Sequence, residues 1–393
     1  MNTSMHLSID SLYDGATARA LVERHGSPLL VLDCDAVRAQ YRALVAALPQ
    51  VDLHYAIKAL PHRAVIATLD EEGACFDIAT SGEIEMLRAL HINPRHTLHT
   101  HPIKRDRDIR DALRFGCTTF VVDNPEELKK FVRYRERVGL ILRLGFRNPD
   151  ASIDLSKKFG CAPEQAPFML AQAAKLGLHI KGLSFHVGSQ CGSPAAHVQA
   201  VRCCAEIIRR AHAQGTAQLS VLDIGGGFPA SYDATTPALS EYCAPLYAAL
   251  ADLPNHVRVI AEPGRVLVAS AMACIASVIG KAKRDGCTWY YLDDGIYGSF
   301  SGQLYEHLRY PLVTIPTSGD RHPSVLAGPT CDSIDIIAED IALPELAIGD
   351  LVIGRMMGAY TMATASEFNS IPKTPILVVN GPAAETRKIA YIA

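Results

Sequence analysis

The chain has 393 residues, of which 49% are hydrophobic and 20% are charged, a balance typical of a globular protein with a large core. Its 38 Lys and Arg residues face 41 Asp and Glu residues, so the net charge is −3 at pH 7 and indicates neither a nucleic-acid nor a membrane-surface partner. The N-terminal segment is polar, which argues against a signal peptide, and no apolar run reaches about 18 residues, which argues against a membrane span. The 11 cysteines are scattered, which argues against a bound metal. We therefore expect a cytoplasmic protein with reduced thiols.

Short apolar runs alternate with longer amphipathic segments over the first two thirds of the chain. The runs predict strands at 51–57, 74–79, 96–100, 118–122, 138–145, 180–187, 219–225 and 257–262. The segments between them predict helices at 61–72, 82–91, 105–115, 124–137, 164–177, 195–214 and 237–252. Eight strands alternating with helices are typical of a parallel (β/α)8 barrel. A doubly wound open sheet is the alternative, but its first strand would lead into a glycine-rich turn, where this chain has Ala56-Ile57-Lys58.

The pattern changes after Pro263-Gly264-Arg265. Short strand-like segments follow, separated by Gly, Pro and Asp clusters, at 266–279, 288–292, 310–315, 324–328, 351–355 and 375–379. They predict an antiparallel β domain. We expect the barrel to span 28–268 and the β domain 269–393, with 1–27 as an N-terminal segment that joins the β domain.

Residues that carry chemistry follow the predicted barrel strands, where the active site of such a barrel lies. Lys58 ends the first strand; a lysine there is more often simply exposed, but a partly buried one can form a Schiff base with an aldehyde. Three glycines in DIGGGFP (223–229) can cradle a phosphate with backbone N–H groups, which we favour over a plain turn. Glu262 can pair with a protonated pyridine nitrogen and Arg265 with phosphate, although a surface salt bridge explains them equally well.

Two further motifs hold candidate residues. His186 could stack on an aromatic cofactor and Ser189 could donate to phosphate, although a lone histidine is more often a hydrogen-bonded core residue. In GPTCDSID (328–335), Cys331 could donate a proton and Asp332 could bind a cationic substrate. An inert cysteine beside capping aspartates is favoured when this motif is taken alone.

Nine motifs then occur in a fixed order: YAIKA (55–59), FDIAT (76–80), LSKKFG (155–160), SFHVGSQ (184–190), LDIGGGFP (222–229), AEPGR (261–265), DDGIYGSF (293–300), GPTCDSID (328–335) and MGAYT (357–361). On these motifs the chain resembles the fold-type III decarboxylases of ornithine, lysine and diaminopimelate, and ornithine decarboxylase most closely. The resemblance implies a barrel of the alanine-racemase type that binds pyridoxal 5'-phosphate.

The resemblance also implies a role for each matching residue. Lys58 would carry the cofactor, His186 would stack on its ring and Glu262 would face its nitrogen. The other cofactor contacts would be Asp77, Ser189, Gly226, Gly227, Arg265 and Tyr360. Cys331 would return a proton to Cα, and the substrate would meet Asp332, Glu306 and Tyr297. In this family Cys331 and Asp332 reach the neighbouring subunit's site, so a homodimer with shared active sites is implied.

Four positions depart from the ornithine decarboxylase pattern: Leu60, Asp154, Ser333 and Glu306. Glu306 stands where an Asp is usual and is one methylene longer, so it predicts a shorter pocket and ornithine as the substrate, converted to putrescine in polyamine biosynthesis. Lysine, arginine or an acylated ornithine-like substrate remain alternatives. An inactive regulatory homologue and a racemase are the competing classes, but the complete set of catalytic groups favours a decarboxylase.

Overall fold

The computed structural model describes residues 7–148, 151, 153 and 155–382. Asp154, one of the four departures, lies outside the described residues. The chain divides into two compact units. The first comprises Tyr41–Ser231 and Thr235–Val266, and the second contains the residues up to Gln40, Tyr232–Ala234 and the residues from Leu267 onward.

The described helices are α1 (Ala16–His25), α2 (Cys34–Ala47), α3 (Arg63–Glu71), α4 (Ser81–Ala89), α5 (Asp106–Phe115), α6 (Pro125–Phe131), α7 (Ala166–Lys175), α8 (Ala195–Ala213), α9 (Leu239–Leu250), α10 (Arg265–Val268) and α11 (Gly302–Glu306). The described strands are β1 (Leu29–Asp33), β2 (Val51–Ala56), β3 (Cys75–Ile78), β4 (Thr97–His99), β5 (Thr119–Val122), β6 (Gly139–Leu144), β7 (Ile180–Phe185), β8 (Val221–Asp223), β9 (Arg258–Ala261), β10 (Met272–Arg284), β11 (Cys287–Leu292), β12 (Leu312–Ile315), β13 (Arg321–Ala327), β14 (Ile336–Pro344), β15 (Leu351–Gly354) and β16 (Ile376–Val379). Among the helices of these described segments, none has the length and apolar character needed to cross a membrane.

Strands β2 to β9 of the first unit form a closed parallel barrel, in which β2 pairs with both β3 and β9. The (β/α)8 prediction is therefore confirmed, and the open doubly wound sheet is excluded. Both faces of a parallel barrel strand are covered, so these strands appear in the sequence as continuous apolar runs. The helices follow from local signals as well: Thr80 accepts from the Glu83 amide in a capping box that begins α4.

The barrel interior has an apolar floor below a polar layer. Buried side chains of β4, β5, β6 and β9 pack together in the floor: Leu98, Val121, Ile141 and Ile260. Side chains two residues further along a strand lie on the same face, one step nearer its carboxyl end. Arg143 thus follows Ile141 on β6, and Glu262 follows Ile260 at the end of β9. The period of two places polar residues directly above the floor, at the end where such barrels hold their active sites.

The second unit contains an eight-stranded sheet with the order β12-β15-β10-β11-β13-β14, and β1 joins β10 to β16. Strand β1, within the span that the sequence division assigned to the barrel, is fully buried and pairs with β10 and β16. The prediction of an antiparallel domain needs one correction, because β1–β16 and β11–β13 are parallel pairs. Antiparallel neighbours can be recognised in a sequence by the short turn that joins them, whereas parallel neighbours are joined by longer connections and leave no such signal.

Candidate active site

Lys58 lies just beyond β2, in a short 3-10 helix that spans Ile57–Ala59. Its Nζ donates to Asp77 Oδ2 at 2.9 Å, and its side chain is 45% exposed while that of Asp77 is 1% exposed. The structure thus brings together two residues that are 19 positions apart in sequence. An amine that is oriented by a buried carboxylate and is also open to approach is suited to attack a carbonyl carbon.

Asp77 is held by a second donor that was not among the predicted cofactor contacts. The buried Thr100 hydroxyl, one residue past β4, donates to Asp77 Oδ1. Both carboxylate oxygens therefore have a donor, which fixes the carboxylate beneath Lys58. The only sequence signal for Thr100 was its position at a strand end.

Glu262 and Asp223 form a buried pair of acids in the polar layer, at 8% and 0% exposure. Burial is the largest cause that raises the pKa of both, to about 6 for Asp223 and well above the usual range for Glu262, where Asp223 adds to the effect. Two neighbouring buried carboxyl groups are costly to ionise together, so burial and proximity favour a protonated form. A cation placed against Glu262, such as a protonated pyridine nitrogen, would offset this cost and stabilise its ionised form. Asp223 was interpreted only as the start of a glycine motif.

The acid pair predicts how stability depends on pH. Because the folded pKa of Asp223 is raised, the folded chain holds a proton that the unfolded chain loses, so stability falls as pH rises from about 4 to about 6. We expect Asp223→Asn to raise the unfolding free energy of the cofactor-free protein by roughly 1–3 kcal/mol at pH 7, and by much less near pH 4. Urea unfolding across this pH range measures the difference.

The exposed Asp320 supplies the matched control for this prediction. Asp320→Asn should leave the unfolding free energy unchanged at every pH, because the carboxylate is solvated in both states. If Asp223→Asn gave a gain that did not change with pH, the buried proton would not be its cause.

His186 follows β7, and its Nδ1 accepts from the Gly188 amide at 3.0 Å. Burial, Arg143 and Lys58 lower the pKa of this imidazole well below its usual value, so the ring is neutral at pH 7. The glycine turn lies against it: a β-carbon on Gly226 would approach His186 Nε2 to 3.2 Å and the Glu262 carbonyl oxygen to 2.7 Å. A neutral ring with a fixed orientation is suited to pack against an aromatic cofactor.

The glycine turn forms a cradle of backbone amides, and only glycine fits at its central positions. Gly225 and Gly227 have φ values of +67° and +97°, and their added β-carbons would lie 2.2 and 2.4 Å from backbone oxygens. Across the residues that the structure describes, none accepts a hydrogen bond from the amides of Gly226 and Gly227. Next to Ser189, the Arg265 guanidinium donates to its Oγ at 3.0 Å. Two amides, a hydroxyl and a guanidinium are the donors that a phosphate group requires, so this set fits the phosphate of the implied cofactor.

A second group of predicted residues lies in the second unit. The Tyr297 hydroxyl donates to Asp332 Oδ2 at 2.5 Å, and this bond lowers the pKa of Asp332. The Cys331 amide and Sγ both donate to Asn369 Oδ1, at 3.2 and 3.3 Å. Phe368 stacks on Tyr297 with 4.4 Å between the ring centres. Phe368 and Asn369 were missed, because nothing in the sequence separates them from other turn residues near MGAYT.

Asp335 shows why Cys331 is presented to solvent. This carboxylate is 2% exposed and accepts from the Ile296 amide at 2.9 Å and from the Thr330 amide and hydroxyl at 3.0 and 2.7 Å. It anchors the loop before β14 at its base. Cys331, at the tip, is the exposed cysteine among those described. Of the acidic residues in GPTCDSID, Asp335 is therefore structural, whereas Asp332 lies next to the loop tip, where its Oδ1 accepts from the Ile334 amide at 3.2 Å.

The predicted residues thus form two sets, one in each unit. The first unit holds Lys58, Asp77, His186, Ser189, Gly226, Gly227, Glu262 and Arg265. The second unit holds Tyr297, Glu306, Cys331, Asp332 and Tyr360. Glu306 ends α11 and is partly buried, and Tyr360 has a φ of +55° in the loop after β15.

Comparison with known proteins supports the same chemistry. Residues 34–269 match the family described as "Pyridoxal-dependent decarboxylase, pyridoxal binding domain". The chain is 52% identical to a lysine/ornithine decarboxylase of Vibrio vulnificus solved with cadaverine, with a TM-score of 0.90 over 95% of this chain and 97% of the other. It is 35% identical to the lysine/ornithine decarboxylase of Selenomonas ruminantium over 92% of this chain and 91% of that protein. Rat ornithine decarboxylase is 34% identical, over 89% and 80% of the two chains.

Proposed function

The chain belongs to the pyridoxal-dependent decarboxylases and acts on a basic amino acid, and we propose that its preferred substrate is L-ornithine, which it converts to putrescine and CO2. The proposal that the substrate has a cationic side chain rests on the charge of Asp332. Its carboxylate is held in the charged form by the Tyr297 hydroxyl, and it is partly buried beside the exposed Cys331. A charged carboxylate favours a distal ammonium group and repels a second carboxylate, such as that of diaminopimelate.

The residues of the first unit are proposed to hold the cofactor. Bound pyridoxal phosphate supplies an electron sink for the charge left at Cα when CO2 departs. Lys58 would hold the cofactor covalently through Nζ, with Asp77 directing that nitrogen. Glu262 would pair with the ring nitrogen and favour its protonated form, and the neutral His186 ring would contact the cofactor and help to exclude water. Ser189 and Arg265 bind the phosphate together with the glycine amides.

The residues of the second unit are proposed to act on the substrate and on the proton transfer. The Cys331 thiol, with its Sγ near Asn369, donates the proton that replaces the lost carboxylate at Cα. Because the family resemblance assigns this loop to the neighbouring subunit's barrel, the proposal includes a homodimer in which each active site uses both protomers. Tyr360 would contribute to the phosphate site.

Glu306 is proposed to determine the length of the substrate side chain that the pocket accepts. One methylene of fit is worth about 1–3 kcal/mol in discrimination, or roughly 5- to 150-fold in kcat/KM. A glutamate in place of the usual aspartate shortens the pocket and favours ornithine over lysine. Lysine is the second candidate, and a specific observation supports it: the Vibrio vulnificus enzyme, 52% identical to this chain, was solved with both cadaverine and putrescine.

The test is kcat/KM for ornithine, lysine, arginine and diaminopimelate, measured side by side. We expect ornithine to be preferred, and Glu306→Asp to shift the ornithine-to-lysine ratio toward lysine by about five- to tenfold because the pocket gains one methylene. The exposed Glu339 on β14 provides a matched control, since Glu339→Asp shortens a side chain that is solvated. A tenfold preference of the wild-type enzyme for any competitor would contradict ornithine as the substrate.

A further inference from the structure

His197 of α8 is fully buried next to the glycine turn that forms the phosphate cradle, at 0% exposure. Its Nδ1 lies 2.9 Å from the Tyr242 hydroxyl and its Nε2 lies 3.1 Å from the Gly226 carbonyl oxygen. Burial lowers the pKa of His197 to about 4, so the imidazole is neutral at pH 7. A carbonyl oxygen can only accept, so Nε2 carries the hydrogen and donates it to Gly226, while Nδ1 accepts from Tyr242.

The hydrogen bond to Gly226 determines where the next amide points. The Gly226 carbonyl and the Gly227 N–H belong to one planar trans peptide, so they point in opposite directions. Anchoring the carbonyl toward α8 therefore directs the Gly227 N–H away from α8, and within the described chain this N–H has no acceptor. We propose that His197 is a positioning residue that aims the Gly227 amide at the cofactor phosphate.

A glycine turn requires such an anchor. Gly226 and Gly227 have no β-carbon, so ψ of Gly226 and φ of Gly227 are little restricted and the peptide between them could rotate at little cost. In the rotated form the cradle would present a carbonyl oxygen, and the partial negative charge of that oxygen would repel the phosphate. The His197 ring cannot follow that rotation, because it stacks on Phe228 with 5.3 Å between ring centres and an interplanar angle of 27°.

His99 provides a comparison within the same barrel. It is also fully buried and stacks on Phe120, but neither of its ring nitrogens has a hydrogen-bond partner among the described residues. His99 thus makes no hydrogen bond within the described chain, whereas both nitrogens of His197 are engaged. The difference between the two histidines supports a specific role for the bond to Gly226 over a general packing role.

The test measures affinity for pyridoxal 5'-phosphate and for pyridoxal, which lacks the phosphate, by titrating the cofactor-free full-length protein and following absorbance. Phenylalanine at position 197 keeps a ring but removes the donor. We expect His197→Phe to raise the dissociation constant of pyridoxal 5'-phosphate about tenfold and to leave that of pyridoxal unchanged, consistent with the loss of one hydrogen bond to a charged group. His197→Gln, which can still donate to Gly226, should stay within about threefold of wild type.

Two variants keep the result interpretable. His99→Phe should leave both dissociation constants unchanged; if it weakens phosphate-dependent binding as much as His197→Phe, packing explains the effect and the proposal is wrong. Tyr242→Phe removes the hydroxyl that bonds to His197 Nδ1 and leaves the imidazole in place. It should weaken the binding of pyridoxal 5'-phosphate but not that of pyridoxal. This variant also tests the proposal if His197→Phe fails to fold. Equal losses for both ligands in either variant would overturn the positioning role.

This inference rests on the proposed phosphate site and is independent of the amino-acid substrate. If the wild-type protein binds pyridoxal as tightly as pyridoxal 5'-phosphate, the cradle is not the phosphate site and the proposed cofactor placement fails. If the wild-type protein discriminates and His197→Phe discriminates equally well, the cofactor placement stands and only the role of His197 is contradicted.

Discussion

Replacing Lys58 with alanine is expected to lower kcat by about 10³- to 10⁴-fold and to abolish the visible absorbance of a lysine-bound pyridoxal cofactor. The side chain of Lys58 is open to approach at 45% exposure, and its Nζ is directed by Asp77 at 2.9 Å. Single-turnover kinetics and absorbance spectra of the two proteins at equal cofactor concentration measure both effects.

Lys175 at the end of α7 is a suitable control, because it is an exposed lysine of the same unit. Lys175→Ala should match wild type in both spectrum and turnover. Retained absorbance in Lys58→Ala would mean that the cofactor is attached elsewhere. A wild-type protein that stays colourless with added cofactor would favour the inactive regulatory homologue over the enzyme.

The barrel could be predicted because its signal is local and repeated. Each strand from β2 to β9 is a continuous apolar run, and each is followed by an amphipathic helix, so errors at single boundaries do not change the count. Lys58 and Glu262 could be predicted for a related reason. In a parallel barrel every strand delivers its last residue to the same end, so position in the chain already places these two side chains at the active-site rim.

Residues that act through another side chain could not be predicted in this way. Thr100 matters because it donates to Asp77, and Asp223 matters because it raises the pKa of Glu262. Each pair joins residues far apart in sequence, and either partner alone has a common structural explanation. His197 lies in the middle of a helix, and only the packing of α8 against the glycine turn connects it with the cofactor.

The second unit was harder to predict because its sheet depends on non-local pairing. Strand β14 was missed: Ile336–Pro344 carries acidic residues, and much of it is exposed. Strand β1 resembles a barrel strand in composition, and only its partners β10 and β16 assign it to the other sheet. Exposed strands and parallel partners lack the alternation and tight turns on which strand prediction rests.

Mixing two inactive variants is expected to restore about a quarter of wild-type activity if the active sites are shared between protomers. The variants are Lys58→Ala, which damages the barrel set, and Cys331→Ala, which damages the second set and should alone lower kcat by about 10²-fold. In a heterodimer, one site combines both defects and the other combines the intact Lys58 of one protomer with the intact Cys331 of its partner. Random exchange makes half of the dimers mixed, so one site in four is complete.

The same mixture distinguishes this arrangement from its alternative. If each protomer used its own Cys331, every site in the heterodimer would carry one defect, and mixing would restore nothing beyond the average of the two variants. The control is Lys175→Ala mixed with Cys331→Ala, which should give activity in proportion to the undamaged protomers, because Lys175 contributes to neither set. Restoration must also depend on subunit exchange, so it should appear after dilution and reconcentration and should be absent when the proteins are combined immediately before assay. A shared site would explain why Cys331 lies at the exposed tip of a loop that is anchored by Asp335.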